Sequence, residues 1–512
     1  MSNENKQPSP TLRAITGPIG PWSQHLLDRE IAIAVGAGGQ TALIRPNELL
    51  IAIENDADGS SRISVDELKK IAPEITELIR PKLVAREKYV DAKGDDVRKH
   101  EADDRFIVVR QQRTVGDYAV FGIDATPVAA TAGREARWSP EAVSRVIDRL
   151  NDVAFVRARP HFVYMADVAY IGSPSYAANP SYAANPSYAA NPSYAANATI
   201  RTSARPAGAL VFPVAPVAPV APVAPVDCAW PPKIAVLDTG LATRNDSGQR
   251  IAEHDELKTR TQIHADWRTD EVAIRSIDDD DEPNADAAHG DTYMDLCAGH
   301  GTFIAGVIAR ISPNAEVWFD GVLSSFGDGD DESIADGIRR TLNRTKPDIV
   351  VLSLGAFTDD DTEPPLAAVI REFSEQGVLF VAAAGNAGVA RKYWPAAMPE
   401  VVGVGALDTS GRAWFSNFGG WVDACAPGVD VVSTYFTNAT DGGKNPDDKD
   451  EVAVHFDGWA SWNGTSFSAP KVAAAIANDM VTNGGTATEA WKRLSHWEKY
   501  RYPDLGVVFN IR

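Results

Sequence analysis

The second half of the chain carries a series of continuous apolar runs, at residues 234–237, 349–352, 378–382 and 401–404, all with β-branched content. Runs without polar alternation suit strands of a parallel sheet that is covered on both faces. Between them lie segments with apolar residues at helical spacing, at 300–311, 332–342 and 366–375. Strand–helix alternation of this kind predicts a doubly wound α/β domain over residues 231–512.

The first third has a different pattern. Residues 49–53, 106–109 and 118–121 are short runs suited to strands. Leu68, Ile71, Ile75, Leu78 and Ile79 form one stripe over 65–83, which predicts helix interrupted by Pro73 and Pro81. Ser139 followed by Pro140 is a helix start, continued by Val143, Val146, Ile147 and Leu150. A strand at 153–156 and an extended tail through Phe162, Val163, Tyr164 and Met165 complete a small α+β domain over 43–167. Residues 1–42 are unassigned.

The two regions are joined by 168–230, whose composition is unlike either. Residues 174–197 are four tandem copies of Pro-Ser-Tyr-Ala-Ala-Asn, and 213–224 are four copies of Pro-Val-Ala. Proline at every third position removes backbone donors and fixes φ, so the second tract is an extended spacer. The Asn-Pro pairs of the first favour turns. One aromatic per six residues buries little, so the whole segment is expected to be a low-complexity linker. A cleavage or docking segment is the alternative.

Composition narrows the function. The 512 residues allow roughly three domains of about 150 residues, and 44% hydrophobic content supports a large core. A net charge of −21 argues against a nucleic-acid partner, whose phosphates require Lys and Arg. Three cysteines, Cys228, Cys297 and Cys425, are too few and odd in number for a disulfide framework, and reduced, mostly buried thiols are expected. The polar start of the chain lacks a basic segment followed by an apolar one, so no secretory signal is predicted. Nor is any stretch long enough to span a membrane. A cytoplasmic location is the expectation, with non-Sec export left open.

The chemistry concentrates in three short motifs. Ser466 lies in Asn463-Gly464-Thr465-Ser466-Phe467-Ser468-Ala469-Pro470, between a glycine-bearing turn and a helix of small residues. His300 opens a helix in Gly299-His300-Gly301-Thr302, and Asp238 ends an apolar strand in Asp238-Thr239-Gly240. A serine hydroxyl needs a base, histidine is one near neutral pH, and a carboxylate orients the imidazole. Each residue alone is an ordinary structural one; together they supply nucleophile, base and acid.

These motifs, in the order Asp, His, Ser, resemble those of the subtilisin-like serine peptidases, the subtilase family. Ala383-Ala384-Gly385-Asn386, Ser353-Leu354-Gly355, Trp394-Pro395-Ala396 and Ala426-Pro427-Gly428 resemble further family segments. The resemblance covers about residues 231–485. It implies a subtilisin-like three-layer α/β fold with a mostly parallel central sheet, preceded by the small α+β domain. It further implies a serine endopeptidase in which Asp238, His300 and Ser466 are catalytic, Asn386 serves the oxyanion hole, and Ser353, Leu354 and Gly355 pair with extended polypeptide substrate. The segment 143–165 resembles the end of a subtilase propeptide, so residues 43–167 are expected to inhibit the enzyme in cis.

Three features depart from or add to that pattern. The acidic run Asp278-Asp279-Asp280-Asp281-Glu282 falls between Asp238 and His300; family members often bind calcium nearby, but a solvated loop is the expectation and no metal ligand is assigned. No cofactor is required for the chemistry. Cys297, three residues before His300, is expected to be a packed bystander. Asp328, Asp330 and Asp331 would stand at the other edge of the cleft, either as a solvated loop or as a preference for basic substrate side chains. A non-catalytic peptide-binding module of the same fold is the rival reading.

Overall fold

A computed structural model describes residues 230–511 apart from 247–248, 253, 261, 265–296, 325–326, 442–453 and 497–500. Upstream it describes 11–12, 31–35, 40–53, 79–81, 88–90, 107–109, 114–123, 147–148, 150–151, 156–166 and 212–213. The expectations for 65–78, the acidic run at 278–282, Cys228 and both repeat tracts apart from Pro213 lie outside these residues.

The centre is a nine-stranded sheet. Its order is Gln262–His264, Glu316–Gly321, Lys233–Asp238, Ile349–Leu352, Leu379–Ala383, Val401–Leu407, Ala424–Pro427, Gly506–Val508 and Arg501–Tyr502. All neighbours are parallel except the last pair. The strands at 349–352 and 379–383 are buried at every position, which is why their sequences show no alternation.

Chain direction across the sheet reverses beside Lys233–Asp238. From this strand the chain runs to Gln262–His264 at the sheet edge, comes back through Glu316–Gly321, and then crosses to Ile349–Leu352 on the other side. Of the intervening helices, His300–Ile311 packs with Thr465–Asn483, and Asp331–Thr345 packs with Leu366–Glu375. Such a reversal opens a crevice beyond the carboxyl ends of the strands. Asp238 ends one bordering strand, and Ser353 follows the other.

The upstream segments form a second antiparallel sheet, with Thr41–Ile53 paired to Ala32–Val35, Tyr118–Ile123 and Val156–Ala166. Two sequence expectations change here. Ile79–Pro81, expected to end a helix, is a strand paired with Tyr118–Ile123. Its Pro81 sits at the strand's end, where a missing donor is tolerated. The sheet also reaches upstream of residue 43, through Ala32–Val35 and Thr11–Leu12. Within the expected linker, Phe212–Pro213 pairs with Ala460 and Ser461.

Val156–Ala166 joins the two regions. Its first part belongs to the upstream sheet; its end runs antiparallel to both Asp328–Asp330 and Leu354–Gly355. Met165 stands opposite Asp328 on one side and Gly355 on the other, and Ala166 opposite Leu354. The Ala166 N–H donates to the Gly327 carbonyl at 2.7 Å.

Candidate active site

Asp238 and His300 meet because two glycine-bearing turns interlock. The Gly301 N–H donates to Thr239 Oγ1 at 2.9 Å, and the Ala242 N–H donates to Thr302 Oγ1 at 2.8 Å. A Cβ on Gly301 would lie 1.9 Å from the Gly240 carbonyl oxygen, so only glycine permits this approach. Gly299, at φ 78°, turns the chain into the helix under the rings of Tyr435 and Phe436. His300 Nδ1 then lies 2.6 Å from Asp238 Oδ1, which also accepts the Thr239 N–H at 2.8 Å. The imidazole is fully buried, edge-on to Trp462 at 5.5 Å. Its Nε2 has no hydrogen-bond partner.

Ser466 occupies the second position of helix Thr465–Asn483. Its hydroxyl donates to the Ser353 carbonyl at 3.0 Å, and the Ser353 hydroxyl donates to the Ser466 carbonyl at 2.9 Å. The second bond answers a local defect. Pro470 has no N–H to give the carbonyl four residues earlier, and Ser353 satisfies it instead. A proline is thereby tolerated inside the helix, and the serine is clamped to the edge segment.

Asn386 is held by the same helix start. Its Oδ1 accepts the Thr465 N–H at 3.0 Å and the Thr465 hydroxyl at 2.9 Å, which leaves Nδ2 buried and without a partner. The preceding Gly385, at φ 95°, donates its N–H to Thr465 Oγ1 at 3.2 Å. Asn417, which the motifs did not single out, fixes this loop from behind. It accepts from Ala387 and Val389 and donates to the Ala384 carbonyl. Its Ser-Asn-Phe-Gly-Gly setting offers no signal beyond turn composition.

Thus Asp238 and His300 are hydrogen-bonded, Ser466 is bonded to Ser353, and Asn386 presents a donor beside Thr465. Leu354 and Gly355 are paired with the Val156–Ala166 strand. Side-chain burial is complete for Asp238, His300 and Ser466. Cys297 and Cys425 are buried and outside any disulfide; burial pushes the Cys425 thiol up to about 12, which keeps it protonated and inert.

The carboxylates at the far edge of the cleft correct the expectation of a solvated loop: they lie in regular structure and are taken up by upstream residues of the chain. Asp328–Asp330 is a strand, and Asp331 is fully buried at the start of the next helix. Arg45 lies 3.4 Å from Asp328 and 3.0 Å from Asp330. Asp331 accepts the Phe162 N–H at 2.9 Å, the Tyr164 hydroxyl at 2.8 Å and the Leu366 N–H at 3.3 Å. Burial pushes its carboxyl up to about 6, against the pull of His161 and these hydrogen bonds. His161 is itself fully buried, 2.8 Å from Glu48 and 3.7 Å from Asp330. Burial alone would lower its pKa; Asp330, Glu48 and Asp331 together hold it above the usual imidazole value.

Among the described residues no cluster of three or more His, Cys, Asp or Glu could hold a metal ion, and no helix is long and apolar enough to cross a membrane.

A model of the subtilase family matches residues 231–494, and the chain belongs to that family. Within it, the chain is 35% identical over 189 residues to subtilisin Savinase of Lederbergia lenta, covering 35% of this chain and 62% of that protein. It is equally similar to an alkaline protease of Alkalihalobacillus alcalophilus, at 35% identity over 35% of this chain and 44% of that one. A thermophilic serine proteinase of Bacillus sp. (strain AK1) is 32% identical over 46% of this chain and 53% of its own length. The chain therefore spans less than two thirds of these relatives. A cold adapted subtilisin-like serine proteinase of known structure shares 23% identity at a TM-score of 0.39, over 54% of this chain and 88% of that one.

Proposed function

We propose that the chain is a serine endopeptidase acting through Asp238, His300 and Ser466, with Asn386 at the oxyanion. The observation that carries this reading is the pair of buried, unpartnered nitrogens, His300 Nε2 and Asn386 Nδ2, around a serine at a helix N-terminus. Such atoms are costly unless a ligand or reacting group uses them. Rotation of the Ser466 hydroxyl away from the Ser353 carbonyl gives its proton to His300 Nε2 as Oγ attacks the scissile carbonyl carbon. Asp238 holds the Nδ1–H tautomer and stabilises the imidazolium. Negative charge on the carbonyl oxygen is met by Asn386 Nδ2 and by the Ser466 N–H, which belongs to the first turn and lacks an intrahelical partner. As the C–N bond breaks, the departing amine takes the proton from His300. Water then hydrolyses the acyl-enzyme by the same exchange. No cofactor enters these steps.

The same reading makes the chain a self-inhibited precursor whose substrates are polypeptides. Its support is the Val156–Ala166 strand, which uses the backbone edges at 328–330 and 354–355 that an extended substrate would need.

One observation favours the rival peptide-binding module: the Ser466 hydroxyl bonds to Ser353, not to His300. A fluorophosphonate probe separates the two. Labelling and peptide cleavage that both vanish in Ser466→Ala support the enzyme, whereas a folded protein that is neither labelled nor active under any condition supports the module.

A further inference from the structure

The strand in the cleft has a signature that the register explains position by position. The Tyr164 hydroxyl donates to buried Asp331 at 2.8 Å. Met165, next along, is paired with both edges, to Asp328 and Gly355. Ala166 is buried, 6% exposed, against Gly327, where an added Cβ would lie 3.1 Å from that of Ala166 and 2.5 Å from Cys297 Sγ. An extended chain continued in this register brings its next residue opposite Ser353, whose carbonyl holds the Ser466 hydroxyl. In the sequence that next residue is Asp167. Written to admit asparagine, the amide of the same shape as that aspartate, the signature is Tyr-x-Ala-Asx.

Of the 13 tyrosines in the chain, five begin this pattern: Tyr164, Tyr176, Tyr182, Tyr188 and Tyr194. The last four are the tyrosines of the Pro-Ser-Tyr-Ala-Ala-Asn copies. We propose that the repeat tract is an array of reserve cleft occupants, each Tyr-Ala-Ala-Asn able to replace Tyr164-Met165-Ala166-Asp167 with its tyrosine on Asp331. This rests on the self-occupied cleft proposed above.

Three features fit the role. Proline between copies supplies no N–H, so the tract is divided into short units that pair one at a time. The copies are weaker than the resident strand, because the position of Phe162, whose N–H donates to Asp331, is proline in each of them. And the tract is tethered at both ends. Downstream, Phe212–Pro213 pairs with Ala460 and Ser461, next to the Trp462 ring that meets His300. Between Asn197 and Phe212 the chain can extend up to about 50 Å. Tethering keeps each copy at high effective concentration, roughly millimolar. The resident strand holds the cleft, and displacing it leaves four substitutes.

The test uses the full chain carrying Ser466→Ala, so that nothing is cleaved, and reads amide hydrogen exchange by mass spectrometry. Tyr164→Ala with Ala166→Leu weakens the resident strand. The expected result is that residues 174–197 then gain about tenfold or more protection, which is lost when Tyr176, Tyr182, Tyr188 and Tyr194 all become Phe. Repeats that never become protected, or whose protection ignores the hydroxyl, overturn the proposal. In the starting protein, absence of protection over 156–166 instead sinks the self-occupied cleft. Should the weakened variant unfold, fluorescence anisotropy of a labelled Pro-Ser-Tyr-Ala-Ala-Asn-Pro peptide on the Ser466→Ala chain decides. Binding about tenfold tighter than its Tyr→Phe counterpart supports the array, and equal or no binding refutes it.

Discussion

Asn386 offers a test in which structure and chemistry come apart. Its amide does two jobs with two atoms. Oδ1 satisfies the N–H and the hydroxyl of Thr465 at 3.0 and 2.9 Å; Nδ2 is left for the reaction. Asn386→Ala removes both. It strands the Thr465 donors in a site that is 7% exposed at Asn386 and fully buried at Thr465, which costs about 1–3 kcal/mol of stability. For a domain of this size that is roughly 2–4 °C of Tm per kcal/mol. It also removes the oxyanion donor, whose loss in subtilisin itself costs about 10²–10³ in kcat. Asn386→Asp separates the terms. A carboxylate still accepts from Thr465, so the fold keeps its helix start. No donor remains, and the added negative charge opposes the charge that develops on the substrate. Steady-state kinetics with a peptide substrate on the processed enzyme, together with thermal unfolding, gives both readouts. The expected pattern is a loss of about 10²-fold or more in kcat for both variants with KM little changed, and a lowered Tm for Ala only. If Asn386→Ala retains kcat within about threefold, Asn386 is not the oxyanion donor and the reading of its unpartnered nitrogen is wrong.

Two further outcomes follow from the same geometry. Gly301→Ala puts a Cβ 1.9 Å from the Gly240 carbonyl oxygen, backbone that cannot yield cheaply; the substitution is expected to cost at least about 1–3 kcal/mol in thermal unfolding and to abolish fluorophosphonate labelling by separating His300 from Asp238. Occupation of the cleft is expected to weaken as pH rises. His161, on the strand, faces Glu48, Asp330 and Asp331, with Arg45 and Asp328 beyond them, and its pKa is raised. A raised imidazole contributes its full stabilisation below the unperturbed value of about 6.5 and loses it as pH climbs through the higher bound value. Hydrogen exchange over 156–166 in the Ser466→Ala chain, followed from pH 5 to 8, should show falling protection once intrinsic exchange rates are divided out, and His161→Gln should flatten the profile. Protection that rises with pH would contradict the assignment.

What the sequence made legible, and what it did not, has a physical pattern. The parallel strands were readable because burial on both faces removes polar residues, as at 349–352 and 379–383. The site motifs were readable because close backbone approach demands glycine: Gly240 against Gly301 is a contact, and it left a mark at both positions. Other elements carried weaker marks. Glu316–Gly321 is a central strand with a mixed burial pattern, so its apolar Val317 and Phe319 alternate with Trp318 and Glu316 and resemble no buried run. The helix at Ala487–Ser495 did have a readable start, the Thr486 and Glu489 capping box.

The cleft strand was the hardest to read correctly, for a reason that bears on function. Val156–Ala166 contains Arg157, Arg159 and His161, and local pattern reading stops at such residues. Their partners are distant in sequence: Asp360 and Thr362 for Arg159, and Glu48 with Asp330 for His161. The acidic segment at 328–331 was misread for the complementary reason, since its partners, Arg45, His161 and Tyr164, lie well over a hundred residues upstream. Each segment looks solvent-facing when read alone, and its charges are answered from distant parts of the chain, Arg45 and Glu48 of Thr41–Ile53 among them. Charge that is unexplained within one segment and answered in another is the mark of an interface, and here that interface lies along the edges of the catalytic cleft. Removing the strand must therefore expose the carboxylates of Asp328, Asp330 and Asp331 together, so the cost of opening is electrostatic as well as steric and falls as salt or solvent screens those charges.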